Sequence, residues 1–258
     1  MRWARYELKG AVHLGRIDPD RDDRIVEVSG SLFDHPQATG QIHQVADARF
    51  LPTVIPPTFY AAGMNYMTHC RNHPELPVPK NADVGYRAIN ALIAPDEPVI
   101  IPKESPGKIQ YEGELVVVIG KKARRLSEAE ALSCVFGYTI GNDISERTWS
   151  KSDRTLWRSK NTDTFKPMGP WIETELDLDA LYTTVRLNGV QVSHFRTHDM
   201  IFNVPQYIAS MTRFVTVYPG DIIWMGTDEP TLDMVAGDHV EIEISGIGKL
   251  ANPIIGEV

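Results

Sequence analysis

Cysteine is nearly absent from this chain: Cys70 and Cys134 are the two in 258 residues. Two thiols make neither a disulfide framework nor a four-ligand zinc cluster, so a reducing cytoplasm is the expected setting. Long apolar runs are missing as well. The longest uninterrupted aliphatic stretch, residues 115–119, falls far short of the roughly 20 residues that a membrane helix needs. The opening residues MRWARYELKG lack the apolar segment of a secretory signal, so none is expected. The third shortage is of basic residues. With 26 Lys and Arg against 34 Asp and Glu, the formal charge is −8, which argues against a nucleic-acid partner. An anionic small molecule is still allowed, because a bound cation or a few basic side chains reverse the sign inside one pocket.

At 42% hydrophobic and 23% charged, the composition is that of an ordinary globular protein with a sizeable core. Residues 1 to about 50 read as short strands (2–8, 12–17 and 24–28) separated by Gly10 and the turn DPDRDD. No chemistry is visible there. Pro52, Pro56 and Pro57 mark a junction, so we expect a small N-terminal β unit over 1–55 and a catalytic unit over 56–258.

The stretch IQYEGELVVVIG at 109–120 organises the rest. Its β-branched run favours a strand, in which Glu112 and Glu114 share a face, roughly 6.8 Å apart along the chain. Val116 and Val118 continue that face, so two acids stand at the rim of a core. Close carboxylates beside apolar surface repel unless a cation or a shared proton neutralises them, and a hard divalent metal is one answer. An edge strand with two solvated glutamates is the other. The same spacing recurs at Glu241 and Glu243 in HVEIEI, where a solvent-facing edge is expected.

The remaining segments supply further candidates. AAGMNYMTHCRNHP (61–74) reads as a turn into a short helix carrying His69 and His73 four residues apart, ahead of a Pro-rich loop long enough for a lid. LSEAEALSCVFGY carries a capping box at Ser127 and Glu130, which predicts a helix to about Phe136 stopped by Gly137. A short strand over 138–140 then projects Asp143 from its end, where an Asx turn at Asn142-Asp143 is the alternative. The following stretch holds Arg147, Lys151, Arg154, Arg158, Lys160 and Lys166, of which one or two can neutralise a substrate carboxylate. The rest reads as mainly β: a type I′ hairpin at Asn188-Gly189, a helix over 204–215, and strands after Asp221 and Asp238.

Taken together, YEGELVVVIGK, GYTIGNDISER, RSKNTDTFKPMGPW, HDMIFNVPQYIASM, YPGDIIWMGT and GDHVEIEISGIGKLANP resemble the fumarylacetoacetate hydrolase family, block by block and in its order. The resemblance covers residue 61 to the C-terminus. It implies an α+β, mostly β fold with a mixed β-roll core, a small N-terminal β appendage and a homodimer. It implies Glu112, Glu114 and Asp143 as ligands of Mg²⁺ or Mn²⁺, with His69, Lys160 and Asp143 in the catalytic set. Arg147, Thr227 and Tyr66 are the residues it implies for substrate binding. The expected activity is hydrolysis of a C–C bond in a β-diketo, acylpyruvate-like acid through a stabilised enolate. Decarboxylation or keto–enol isomerisation of a 2-oxo diacid, and a non-catalytic binding protein, are the other expectations.

Two departures from the family bear on that choice. Many bacterial members carry His-x-x-Glu where this chain has His69 and Asn72, and an amide cannot raise the basicity of an imidazole as a carboxylate does. Glu75 is a possible substitute. MGTDEPT also replaces a Gly-Thr-Pro-x-Gly-type loop, placing Asp228 and Glu229 beside the expected anion site.

Overall fold

A computed structural model describes residues 1–72 and 77–258. Its spine is one large sheet, in which ten strands run side by side. From one edge these are Gln37–Gln44, Arg21–Ser29, Ala11–Asp18, Arg2–Leu8, Lys166–Glu173, Val135–Asn142, Gly113–Ile119, Ile222–Trp224, Phe59–Ala62 and Val84–Tyr86. Neighbours are antiparallel except Ile222–Trp224 beside Phe59–Ala62. A five-stranded sheet (Val190–Arg196, Tyr182–Leu187, His239–Ile244, Gly248–Gly256, Val99–Ile101) packs against it. The mostly β, mixed-sheet architecture is the expected class.

Gly113–Ile119 explains why this sheet is the core. All seven of its residues are buried, and alternate side chains feed two clusters. Leu115, Val117 and Ile119 meet Val185, Ile242 and Ile244 of the second sheet, while Val116 and Val118 meet Phe59, Met168 and Trp224. A strand buried on both faces reads as a continuous apolar run rather than an alternating one, which is how 115–119 is written. The strand lies between two partners, so the edge-strand alternative for Glu112 and Glu114 does not hold.

Some local expectations are corrected. The capping box forms, with the Glu130 carboxylate accepting from the Ser127 backbone, but the helix is only Glu128–Ala131 and one 3₁₀ turn, Leu132–Cys134. Val135 already pairs with Ile119, so the sheet claims the β-branched end of the expected helix. His239–Ile244 is an interior strand, not an edge. Its Glu241 and Glu243 face solvent nonetheless, paired with Arg186 and Lys249. The N-terminal strands continue the large sheet through Arg2 opposite Glu173 and Trp3 opposite Ile172.

One glycine is dictated by packing. Gly141, opposite Glu114, lies under the Trp224 indole, and a Cβ there would sit 2.6 Å from the ring. Neither the ring, fully buried, nor the sheet backbone can yield cheaply. Gly141→Ala is expected to cost about 1–3 kcal/mol by overpacking, read as a lower denaturant midpoint at unchanged slope.

Candidate active site

Three carboxylates converge where the central strands begin and end. Glu112 precedes Gly113–Ile119, Glu114 lies within it, and Asp143 follows Val135–Asn142. All three are buried, and one oxygen from each falls within 4.8 Å of the others. The backbone locks this arrangement: the Asp143 N–H donates to the Glu112 carbonyl, and the Glu112 N–H donates to Asn142 Oδ1 at 2.9 Å. Gly226, at φ 86°, turns the chain so that its N–H donates to Glu114 Oε2 at 2.8 Å.

Four cations crowd the acids. Lys160, on the helix Trp157–Asn161, reaches Glu112 Oε2 at 2.5 Å and Asp143 Oδ2 at 3.1 Å. Lys166, wholly buried, lies 2.7 Å from Asp143 Oδ1 and also donates to the Ile144 and Phe165 carbonyls. Arg87 Nη2 meets Asp143 Oδ2 at 2.7 Å, and Arg147 Nη2 meets Glu112 Oε1 at 2.7 Å. Lys160 and Arg147 were among the expected site residues. Arg87 carried no sequence signal, and Lys166 was one of six basic residues with nothing to single it out.

Burial alone would raise the Glu112 carboxyl, but Lys160 and Arg147 pull it down to about 2. Asp143 is likewise held well below the usual carboxylate range, because Arg87, Lys160 and Lys166 outweigh its burial. Lys166 is pushed down to about 7 by burial, which Asp143 offsets only in part. Glu114 behaves oppositely. Burial, then the charges of Asp143 and Glu112, raise it well above normal, so this acid is short of a cation. A hard divalent ion among three carboxylate oxygens supplies what Glu114 lacks, and the donor set fits Mg²⁺ or Mn²⁺.

A stability prediction follows for the metal-free protein. Glu112 has a depressed pKa, so its contribution is fully present above its ordinary value of 4.5 and is lost as pH falls toward about 2. Thermal unfolding across pH 6 to 2 should show this acid loss, and Glu112→Gln should flatten the profile.

The other expected residues fall into place unevenly. His69, on the helix Met67–Asn72, has Nδ1 2.7 Å from Glu229 Oε1 and lies near enough to Glu112 for a charged imidazole to lower that carboxyl. Among the described residues, Glu229 of the atypical 227–235 loop supplies the imidazole with the kind of carboxylate partner that position 72 lacks. Glu229 is held by the Thr231 N–H, Thr231 in turn donates to Gln110, and Arg147 also binds Gln110. Sequence reasoning noted Glu229 but gave it no partner. His73 and Glu75 lie outside the described residues. Thr227 is buried next to Gly226, at the Glu114 side of the cluster. Tyr66 is buried, its hydroxyl donating to the Thr197 carbonyl at 2.7 Å and its ring packed edge-on against Phe195.

Residues 58–255 match the fumarylacetoacetate (FAA) hydrolase C-terminal family, and residues 1–52 match the Rv2993c-like N-terminal family. The chain belongs to the fumarylacetoacetate hydrolase family. Within it, the chain is 34% identical to Protein Rv2993c of Mycobacterium tuberculosis, over 89% of this chain and 87% of that one. It is also 34% identical to the mitochondrial oxaloacetate tautomerase fahd2 of Xenopus laevis, over 79% of this chain and 67% of the relative. Among solved structures, the 5-carboxymethyl-2-hydroxymuconate delta-isomerase from Mycobacterium smegmatis superposes with a TM-score of 0.92 at 31% identity, covering 100% of both chains. Enzymes of the fumarylacetoacetate hydrolase family bind a divalent metal, and isomerases, tautomerases and hydrolases all occur among the relatives and structural neighbours of this one. No helix among the described residues is long and apolar enough to cross a membrane.

Proposed function

We propose that this enzyme is a metal-dependent isomerase of 2-oxo diacids, shifting a proton between a carbon beside the keto group and the enol form or a conjugated double bond. The observation that carries this reading is the pairing of one imidazole–carboxylate dyad, His69 and Glu229, with a buried, cation-rich carboxylate cluster. Proton removal next to a carbonyl needs a base on one side and positive charge at the oxygen on the other. It needs no positioned water. Oxaloacetate tautomerases and isomerases are among the relatives above 30% identity, which supports the same choice.

Glu112, Glu114 and Asp143 would hold the Mg²⁺ or Mn²⁺ ion. When bound, that ion polarises the 2-oxo group and stabilises negative charge on its oxygen. The tautomer of His69 that donates Nδ1–H to Glu229 puts the basic lone pair on Nε2, which takes the carbon-bound proton. Lys160 offsets charge on the substrate oxygen and returns a proton. Arg147 and Thr227 bind the substrate's carboxylates. Glu229 also favours a second reading, hydrolysis of an acylpyruvate-like C–C bond, because a carboxylate-backed imidazole can equally take a proton from water.

One experiment separates these. Oxaloacetate and an acylpyruvate are each incubated in D₂O with metal-loaded enzyme and followed by proton NMR. Enzyme-accelerated keto–enol exchange at C3 of oxaloacetate, with the acylpyruvate intact, supports the isomerase. Pyruvate plus a free acid from the acylpyruvate replaces it with the hydrolase. Release of CO₂ from oxaloacetate at the exchange rate would mean a decarboxylase.

A further inference from the structure

A second group of metal-ligating side chains lies in the N-terminal strands, where sequence reading saw no chemistry. His13, Glu27 and His43 come from three adjacent strands, Ala11–Asp18, Arg21–Ser29 and Gln37–Gln44. Register places them together. Gly15 pairs with Glu27 and Ile25 pairs with His43, so the period of two puts His13, Glu27 and His43 on one face, each diagonal to the next. His13 Nδ1 lies 3.5 Å from Glu27 Oε1, and His43 Nε2 lies 2.8 Å from Glu27 Oε2. One donor atom from each falls within 4.8 Å of the others.

These distances suit a metal. Bonds of about 2.0–2.2 Å to His nitrogen and carboxylate oxygen put neighbouring ligand atoms about 3.4 Å apart at a tetrahedral ion. Two imidazoles and one carboxylate favour a late first-row divalent ion over Mg²⁺, the reverse of the all-oxygen cluster at Glu112. The three side chains are 23%, 19% and 17% exposed, so the site is walled by the sheet yet open to entry on one side.

A separate observation points into the same place. Tyr6, on the strand Arg2–Leu8, is fully buried, and its hydroxyl has no hydrogen-bond partner among the described residues. Its ring stacks on His13 with centroids 5.5 Å apart and approaches His43 at 5.9 Å. It crosses the space above Gly15, where a Cβ would meet Tyr6 Cε1 at 3.1 Å. The charge of Glu27 acts on this hydroxyl. A buried O–H left without a partner is costly unless a ligand at the site completes it.

We infer that His13, Glu27 and His43 form a second metal site, for a zinc-class divalent ion, with the Tyr6 hydroxyl facing it. The nearest strand of the site, Ala11–Asp18, stands four strands along the sheet from Gly113–Ile119, roughly 19 Å at about 4.8 Å per strand, so the two sites bind independently. Its three ligands come one from each of three adjacent strands.

The test titrates Zn²⁺ by calorimetry into full-length protein held in excess Mg²⁺, and repeats it with His13→Ala/His43→Ala and with Glu27→Gln. The wild-type chain should take up one Zn²⁺ more than the double variant. Glu27→Gln, which keeps the volume and hydrogen-bonding reach of the side chain, should weaken that Zn²⁺ at least tenfold. Cu²⁺ in place of Zn²⁺ should give an electron paramagnetic resonance spectrum split by two nitrogens, lost in the double variant. Turnover should be unchanged in all three proteins. Equal Zn²⁺ affinity in wild type and Glu27→Gln, or Cu²⁺ spectra unaffected by the histidine substitutions, overturns the proposal and leaves a hydrogen-bonded His–Glu–His cluster.

Discussion

Asp143→Ala should lose about 3–5 kcal/mol of stability and all metal-dependent activity, and Asp143→Ala/Lys166→Met should recover part of the stability but none of the activity. Asp143 is the shared counter-charge of Arg87, Lys160 and Lys166. Breaking a buried ion pair by removing one partner leaves the other charge buried and uncompensated, which is what costs this much. Lys166 is the most exposed to that loss, being fully enclosed and lacking any other anionic partner among the described residues. Methionine there fills much of the lysine volume without the charge. Denaturant unfolding of the wild type, the single and the double variant measures the effect. A double variant no more stable than Asp143→Ala would show that Lys166 is not the strained partner.

His69→Gln carries the second large effect. Loss of a positioned general base typically slows turnover by about 10²–10⁴-fold. Because His69 is not among the three converging carboxylates, Mn²⁺ affinity should stay within about twofold of wild type, unlike that of Glu112→Ala. Glu229→Gln keeps the hydrogen bond to His69 but removes the charge, so a smaller loss in kcat is expected. Steady-state kinetics and Mn²⁺ titration on the three proteins decide the matter. If His69→Gln weakened the metal as much as it slowed turnover, the imidazole would be a structural support of the cluster, not the base.

What could be read in advance was local. Glu112 and Glu114 are separated by one residue in a run that announces its own strand, and Asp143 follows a strand that ends in its own turn. That Asp143 joins them was implied by the family resemblance alone; the antiparallel pairing that brings the segments together is seen only in the fold. The same E-x-E spacing at Glu241 and Glu243 is solvent-facing as expected, but on an interior strand rather than an edge. Arg87 and Glu229 were opaque because each finds its partner across a long stretch of chain, 56 residues for Arg87 and Asp143 and 160 for His69 and Glu229, which only the folded chain brings together. Lys166, closer in sequence to Asp143, was one of six basic residues with nothing to single it out. Gln37–Gln44 was missed because it is exposed along nearly its whole length and carries no apolar alternation. The helix expected to reach Phe136 failed where a tertiary partner outbid local propensity.

The two residue pairs that join Arg2–Leu8 to Lys166–Glu173 have a bearing on the history of the chain in the cell. Lys166–Glu173 delivers Lys166 to the acids; Leu92–Ile93 pairs with its start at Lys166 and Pro167, and the N-terminal strands occupy its end at Ile172 and Glu173. Without them that end would offer bare amides and carbonyls to any other extended chain, the usual seed of self-association. The N-terminal meander is thus a guard rail: it takes up that edge and passes the exposed role to Gln37–Gln44, a polar strand poorly suited to recruiting neighbours.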